Sequence, residues 1–270
     1  MNKIKKQLLN LYYFGNHPIS KKEYNQKIIR DIEWNAIVDF IPEESTFLDI
    51  GCGAGYSMKR AINEKKCNAQ GIDPDPFKHG VGRQWEENGN YEIEKSLKIL
   101  KGFGESLPYN DSEFDIVYSS HVLEHVNNEK QFLKEAKRVL KDEGTFIIGM
   151  PTASMAWINF ISNILFTTHH RIVNFIFSKS NVINVSKESF KHIFLPASHT
   201  FPEKTILYDL KHYKINNWKK IVSSEFKIIK TILPALYPHP DYLQLFKLKK
   251  RKKLSSSVFF ICKKNRPIIF

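Results

Sequence analysis

Phe47-Leu48-Asp49-Ile50-Gly51-Cys52-Gly53-Ala54-Gly55-Tyr56-Ser57 is a short apolar run that empties into a glycine turn and continues as a helix-forming segment, 56–65. A turn this tight needs backbone conformations that only glycine adopts cheaply, and bare backbone lets a ligand approach the helix N-terminus. The next apolar run ends at Gly71-Ile72-Asp73, which places Asp73 22 residues after Gly51. An acid at that strand end can accept hydrogen bonds from both hydroxyls of a ribose. Strand, glycine turn, helix and acid-ended strand together point to a nucleoside-binding βαβ unit.

Working outward, residues 21–40 predict an amphipathic helix, because Ile28, Ile29, Ile32, Ala36, Ile37 and Phe40 recur near helical spacing; Pro42 and Glu43-Glu44 end it. Downstream, 76–88 reads as a helix, 96–101 as a third strand and 114–119 as a fourth. Residues 128–141 form a strongly amphipathic helix with Phe132, Leu133, Ala136, Val139 and Leu140 on one side, and the fifth strand starts at 145. Strands alternating with helices at this spacing mean a parallel sheet covered on both faces. The pattern breaks over 151–200, which is irregular and apolar, then resumes with a helix at 215–224 and two closing strands at 226–233 and 257–263.

Composition adds bounds. The 270 residues, 42% hydrophobic, are ample for one α/β domain with an elaborated C-terminal half. The lysine-bearing N-terminus has only a short apolar run and no small-residue cleavage site, so no leader is expected. Cys52, Cys67 and Cys262 have neither metal-ligand nor disulfide spacing, which fits a reducing cytoplasm, and no metal site is expected. Residues 1–210 are neutral, with 26 Lys/Arg and 26 Asp/Glu; the last 60 residues hold 15 Lys/Arg against Glu225 and Asp241, and so carry the whole net charge of +13. The run Lys247-Leu248-Lys249-Lys250-Arg251-Lys252-Lys253 is either a solvated loop or a patch for an anionic partner.

The glycine turn is not the dinucleotide pattern G-x-G-x-x-G, because Tyr56 holds the last slot. Asp49 beside the turn would repel a pyrophosphate but welcome a ligand bearing an ammonium and a sulfonium. FLDIGCGAGYS (47–57), GID (71–73), GESLPYNDSEFDIVYSSHVLEHV (104–126) and FLKEAKRVLKDEGTFIIGMP (132–151) resemble successive motifs of class I S-adenosylmethionine-dependent methyltransferases. The resemblance is to the small-molecule branch that includes the ubiquinone/menaquinone C-methyltransferases (methyltransferase type 11). It implies a doubly wound, Rossmann-like α/β fold with a seven-stranded, mostly parallel sheet, and a helical lid inserted after the fifth strand. It implies S-adenosyl-L-methionine as cofactor, with Asp49 and the backbone of Gly51 and Gly53 at its methionine end and Gly55 allowing close packing of the following helix. Asp73 would bind the ribose, Gly104 and Glu105 would lie against the adenine, and Ser119, Ser120 and His121 would line the site beside the sulfonium. Relatives often carry an acid or serine where this chain has Phe103, so Glu105 or the backbone must meet the adenine amino group.

A hydroxyl acceptor needs a base, and His121, just past the fourth strand, is the best-placed histidine for a catalytic role. Against nucleic acid, YSSHVLEH (118–125) lacks the Asn/Asp-Pro-Pro-aromatic tetrapeptide of base-amino methyltransferases, and none of the three cysteines is placed as a pyrimidine C5 nucleophile. The layout expected is an N-terminal helical cap (1–42), a cofactor-binding core (43–151), a lid or acceptor insertion (152–200), and closing strands with a basic tail (201–270). The insertion holds apolar pieces at 155–166 and 172–177, each too short to span a bilayer. They read either as a lid or as a segment that, with 247–253, makes peripheral contact with an anionic inner membrane face. A weaker resemblance, carried by this insertion, PASHT (196–200) and Trp218, is to methyltransferases of bacterial surface-polysaccharide synthesis. It implies O-methylation of a sugar or lipid-linked glycan. The alternatives are a quinone-type C-methyltransferase and a cofactor-binding partner protein without catalysis.

Overall fold

The computed structural model describes residues 21–76, 84–85, 91–92, 96–162, 198, 200, 204–237 and 254–265. Helix α1 (Lys21–Ile37) runs through a 3-10 turn (Val38–Phe40) into strand β1 (Thr46–Ile50). Helix α2 (Tyr56–Lys65) and strand β2 (Asn68–Asp73) follow, then the short β3 (Gln84–Trp85) and β4 (Tyr91–Glu92), and β5 (Lys98–Lys101). Strand β6 (Phe114–Ser120) leads by a 3-10 turn (Leu123–His125) to α3 (Glu129–Val139), β7 (Leu140–Pro151) and α4 (Ala153–Ser162). Helices α5 (Ile206–His212) and α6 (Ile215–Val222) precede β8 (Phe226–Ile232) and β9 (Ser257–Lys264).

Seven strands form one sheet in the order β5-β2-β1-β6-β7-β9-β8. The first five are parallel to their neighbours, while β9 runs antiparallel to both β7 and β8. Adjacent residues of each central strand point to opposite faces. Leu48, Val117, Phe146 and Ile148 pack under α3 and α6 with Phe132, Leu133, Ala136, Trp218 and Val222. Phe47, Ile116, Tyr118 and Ile147 pack under α1 and α2 with Trp34, Ile37, Met58 and Ala61. Both faces are therefore buried, which is why these strands read as unbroken apolar runs. Each such large side chain contributes about 1.5–3 kcal/mol on burial. Helix α3 starts where Asn128 caps it, its side chain accepting from the Gln131 N–H at 3.0 Å. The Trp218 indole donates to the Pro151 carbonyl at 2.8 Å and fastens α6 to the end of β7.

The seven-stranded, mostly parallel sheet with helices on both faces agrees with the sequence reading. One element does not. The segment 76–88 is not a continuous helix, because Gln84–Trp85 pairs antiparallel with Tyr91–Glu92. Gly80 and Gly82 weaken helical tendency there, and Asn88-Gly89 is a sequence that favours a hairpin. Of the expected 152–200 insertion, α4 is described, while 163–197 and the basic run 247–253 lie outside the described residues. No helix among the described residues is long and apolar enough to cross a membrane.

Candidate functional site

Strand order reverses at β1, whose neighbours β2 and β6 lead away to opposite edges. In an open α/β sheet, the crevice beyond the carboxyl ends of the strands at such a point is where ligands bind. The glycine turn lies there. Gly51 donates its N–H to the Ile72 carbonyl at 2.8 Å, Gly53 to the Asp73 carboxylate at 2.9 Å, and Gly55 to the Cys52 carbonyl at 2.9 Å. Gly51 sits at φ +78, and a Cβ there would lie 2.2 Å from a Val122 methyl. Gly55, at φ +79, is the left-handed residue that caps the start of α2.

Two acids flank this turn. Asp49, 2% exposed, is the last residue but one of β1 and is hydrogen-bonded by the Ser57 side chain. Burial, reinforced by the nearby Asp73 charge, pushes its carboxyl up to about 8. Asp73 ends β2, and its two oxygens accept the N–H groups of Gly53 and Asp75, each at 2.9 Å. Its backbone carbonyl accepts from Gly102 at 3.1 Å, which docks the 102–105 turn beside it. These residues fit a nucleoside carrying positive charge. The turn presents bare backbone, each Asp73 oxygen accepts one N–H and has capacity for a further donor, and a cation beside Asp49 would offset the repulsion of two neighbouring acids.

The other expected residues have differing engagements. A Cβ on Gly104 would stand 2.5 Å from the Phe132 ring. Glu105 accepts the Asn127 N–H at 3.0 Å and so braces the loop before α3. Phe103 is 62% exposed. Ser119 is fully buried and donates to the Ile50 carbonyl at 3.0 Å, tying the ends of β6 and β1 together. Ser120 is half-buried at the last pair of β6 with β7.

His121 is the residue the structure holds hardest. Its backbone adopts φ +57, uncommon for a residue with a side chain, and its N–H donates to the Gly149 carbonyl at 2.9 Å. Nε2 lies 3.0 Å from Glu33 Oε1, and Nδ1 lies 3.6 Å from Glu124 Oε1. Burial and the Arg30 guanidinium push the imidazolium down, but the Glu33 and Glu124 carboxylates outweigh them and hold it above the ordinary histidine value of 6.5. Glu33 in turn accepts from Arg30 and from the Tyr237 hydroxyl, both at 2.5 Å. Tyr237 is set in place by its N–H to the Ser256 hydroxyl at 2.9 Å, just before β9.

Sequence reasoning missed Arg30, Glu33 and Tyr237. A signal for Glu33 existed: Asn25, Ile29, Glu33 and Ile37 form one helical stripe, all at most 4% exposed, and an acid in such a stripe needs a partner. Nothing local marks Tyr237, which is 204 residues from Glu33 in sequence.

A methyltransferase-domain family model matches residues 48–148. The sterol 4-C-methyltransferase of Caenorhabditis elegans is 34% identical over 101 residues, 37% of this chain and 29% of that protein. The 2-methyl-6-phytyl-1,4-hydroquinone methyltransferase of Synechocystis is 27% identical over 143 residues, 52% of this chain and 43% of that protein. The chain thus spans less than half the length of either relative. The crystal structure of an S-adenosylmethionine-dependent methyltransferase from Thermotoga maritima is similar in fold, with a TM-score of 0.53 at 18% identity over 90% of this chain and 92% of that one.

Proposed function

Residues 48–148 form a class I S-adenosylmethionine-dependent methyltransferase domain, and from that premise we propose that the protein methylates a hydroxyl of a sugar or lipid-linked surface glycan. The observation that carries the donor half is the pair of acids, Asp49 and Asp73, on either side of the Gly51–Gly55 turn. Asp49 with the backbone of Gly51 and Gly53 would hold the donor's methionine end. Asp73 would accept from the ribose hydroxyls, and the 102–105 turn would lie against the adenine. When bound, the donor supplies a methyl group already activated on a sulfonium. The work left to the protein is alignment in a water-poor crevice, where effective molarity does much of the rest.

For the acceptor half, His121 is the base of this reading. It stands at the end of β6, next to the turn that the donor would occupy, and a hydroxyl needs such a group to lose its proton. Helix α4 supports an apolar cover over the acceptor: Trp157 and Ile161 are about half exposed on it, at 53% and 48%. The exposed apolar side chains of this helix, and separately the basic composition of 247–253, would each suit peripheral contact with an anionic inner membrane face. The second reading, C-methylation of a quinone precursor, is favoured by the similarity to the hydroquinone methyltransferase.

The experiment uses radiolabelled methyl donor and extracts of a source strain lacking this gene, separated into glycolipid/polysaccharide, quinone, protein and RNA pools. Label in the glycan pool, absent with Asp73→Ala, is the expected result. Label in the quinone pool instead would replace this acceptor with the second one. Tight binding of S-adenosylhomocysteine with no label in any pool would favour a partner protein that no longer catalyses.

A further inference from the structure

His121 can act as a base only if something fixes its ring and its proton, and the groups that do so come from a helix outside the cofactor-binding core. We infer that Glu33 is the positioning residue of the acceptor site, setting the orientation and proton inventory of His121, so that the site is complete only with α1 laid against the end of β6. This rests on the reading of His121 given above.

The geometry supports it contact by contact. The left-handed backbone at His121 is held by the bond to Gly149, and the ring lies against Glu33 of α1. Glu33 then takes one nitrogen. With Glu33 ionised, the 3.0 Å contact exists only if Nε2 carries a hydrogen and donates it. Nδ1 is left as the nitrogen that exchanges a proton, because its 3.6 Å separation from Glu124 is beyond hydrogen-bond length. Both Glu124 oxygens are buried and accept no hydrogen bond among the described residues, so this second carboxylate faces the ring as a charge and not as a tether. The proton leaving an acceptor hydroxyl would pass to Nδ1, while Nε2–H stays on Glu33.

Glu33 is built to stay ionised throughout. Burial pushes its carboxyl up, but the Arg30 and His121 charges outweigh burial and hold it well below the usual carboxylate range. A carboxylate behind an imidazole in this way fixes tautomer and orientation without itself taking the proton. The groups that bear on the ring are Glu33 and Arg30 from α1 and Glu124 from the turn after β6, with the Tyr237 hydroxyl bearing on Glu33 from the segment before β9. A purely structural role accounts poorly for an acid here, since a well-packed apolar residue on the stripe between Ile29 and Ile37 generally stabilises as much as a buried ion pair.

The test uses the whole protein with carbon-13-labelled histidine, the His121 signal being identified by its loss in His121→Asn. Glu33→Gln keeps the shape and removes the charge, and should lower the titration midpoint of His121 by about one pH unit or more. Glu33→Asp should recover part of that drop. An unmoved midpoint in Glu33→Gln, with S-adenosylhomocysteine still bound to show an intact fold, overturns the inference. If Glu33→Gln does not fold, Glu33→Asp decides: its withdrawn carboxylate should lower the midpoint by a smaller amount, and an unmoved midpoint overturns the inference. With an acceptor in hand, the acid limb of kcat/KM should follow the midpoint in each variant. A limb that stays fixed while the midpoint moves would remove His121 as the base and leave the hold of Glu33 on its ring standing.

Discussion

Titration of S-adenosylmethionine into the protein at pH 5.5, 6.5 and 8 probes the most unusual group in the proposed donor crevice, Asp49. Its carboxyl, pushed up to about 8 by burial and by Asp73, is protonated in the ligand-free protein at neutral pH. The unfolded chain gives up that proton near the ordinary aspartate value of 3.8. The stability that this proton brings is therefore present at low pH and is lost as pH rises from about 4 through 8. A bound ammonium reverses the preference and expels the proton. At pH 6.5 a group titrating near 8 is about 97% protonated, so ionising it costs about 2 kcal/mol, or roughly thirtyfold in affinity. Affinity should rise close to tenfold between pH 5.5 and 6.5 and level off near 8, where the donor's own α-amine, at about 7.7–8.0, starts to lose its proton. Calorimetry in two buffers of different ionisation heat should find about one proton released per donor bound at pH 6.5. Asp49→Asn should release none and show no rise between pH 5.5 and 6.5. Flat affinity across that interval in the wild type, with no proton released, would refute the placement of the donor's ammonium beside Asp49.

Asp73→Ala should weaken S-adenosylhomocysteine binding roughly 10- to 150-fold, from the loss of hydrogen bonds to a charged acceptor at about 1.5–3 kcal/mol; a change below about twofold in calorimetry would remove Asp73 as the ribose ligand. Gly51→Ala should cost at least about 1–2 kcal/mol for the left-handed backbone alone, read as a lower urea midpoint. Adding Val122→Ala should recover the part due to the 2.2 Å contact and no more. Ser119→Ala strands the buried Ile50 carbonyl and should lower stability by about 1–3 kcal/mol; a neutral urea midpoint would mean that this carbonyl is satisfied another way.

What was legible in the sequence was what is local. The run 47–57 carries strand, turn and helix start within eleven residues, and helix 56–65 comes out of the structure with the boundaries the sequence implies. Apolar runs marked the buried strands because both faces of the sheet are covered. The charged cluster was illegible for the opposite reason. Glu33, His121 and Tyr237 meet through three separate elements, and only the Glu33 stripe hints at a buried acid. The 76–88 segment misled because Phe77, Val81 and Trp85 recur at helical spacing, whereas its glycines and the Asn88-Gly89 pair favour a reversal.

Strand β9 is the last of the described strands along the chain, yet it lies inside the sheet, between β7 and β8. A ribosome that has delivered residues up to β8 has therefore produced all five parallel strands, but β7 still has an open flank of apolar residues running from Phe146 to Pro151. Only the arrival of Val258, Phe259, Phe260 and Ile261 closes it and gives β8 a partner. Folding to the complete sheet thus waits on residues 257–264, and a chain cut short before residue 257 would present an unpaired apolar edge to its neighbours, a template for aggregation. The donor crevice, built from strands made long before, would wait on a segment that contributes no residue to its glycine turn.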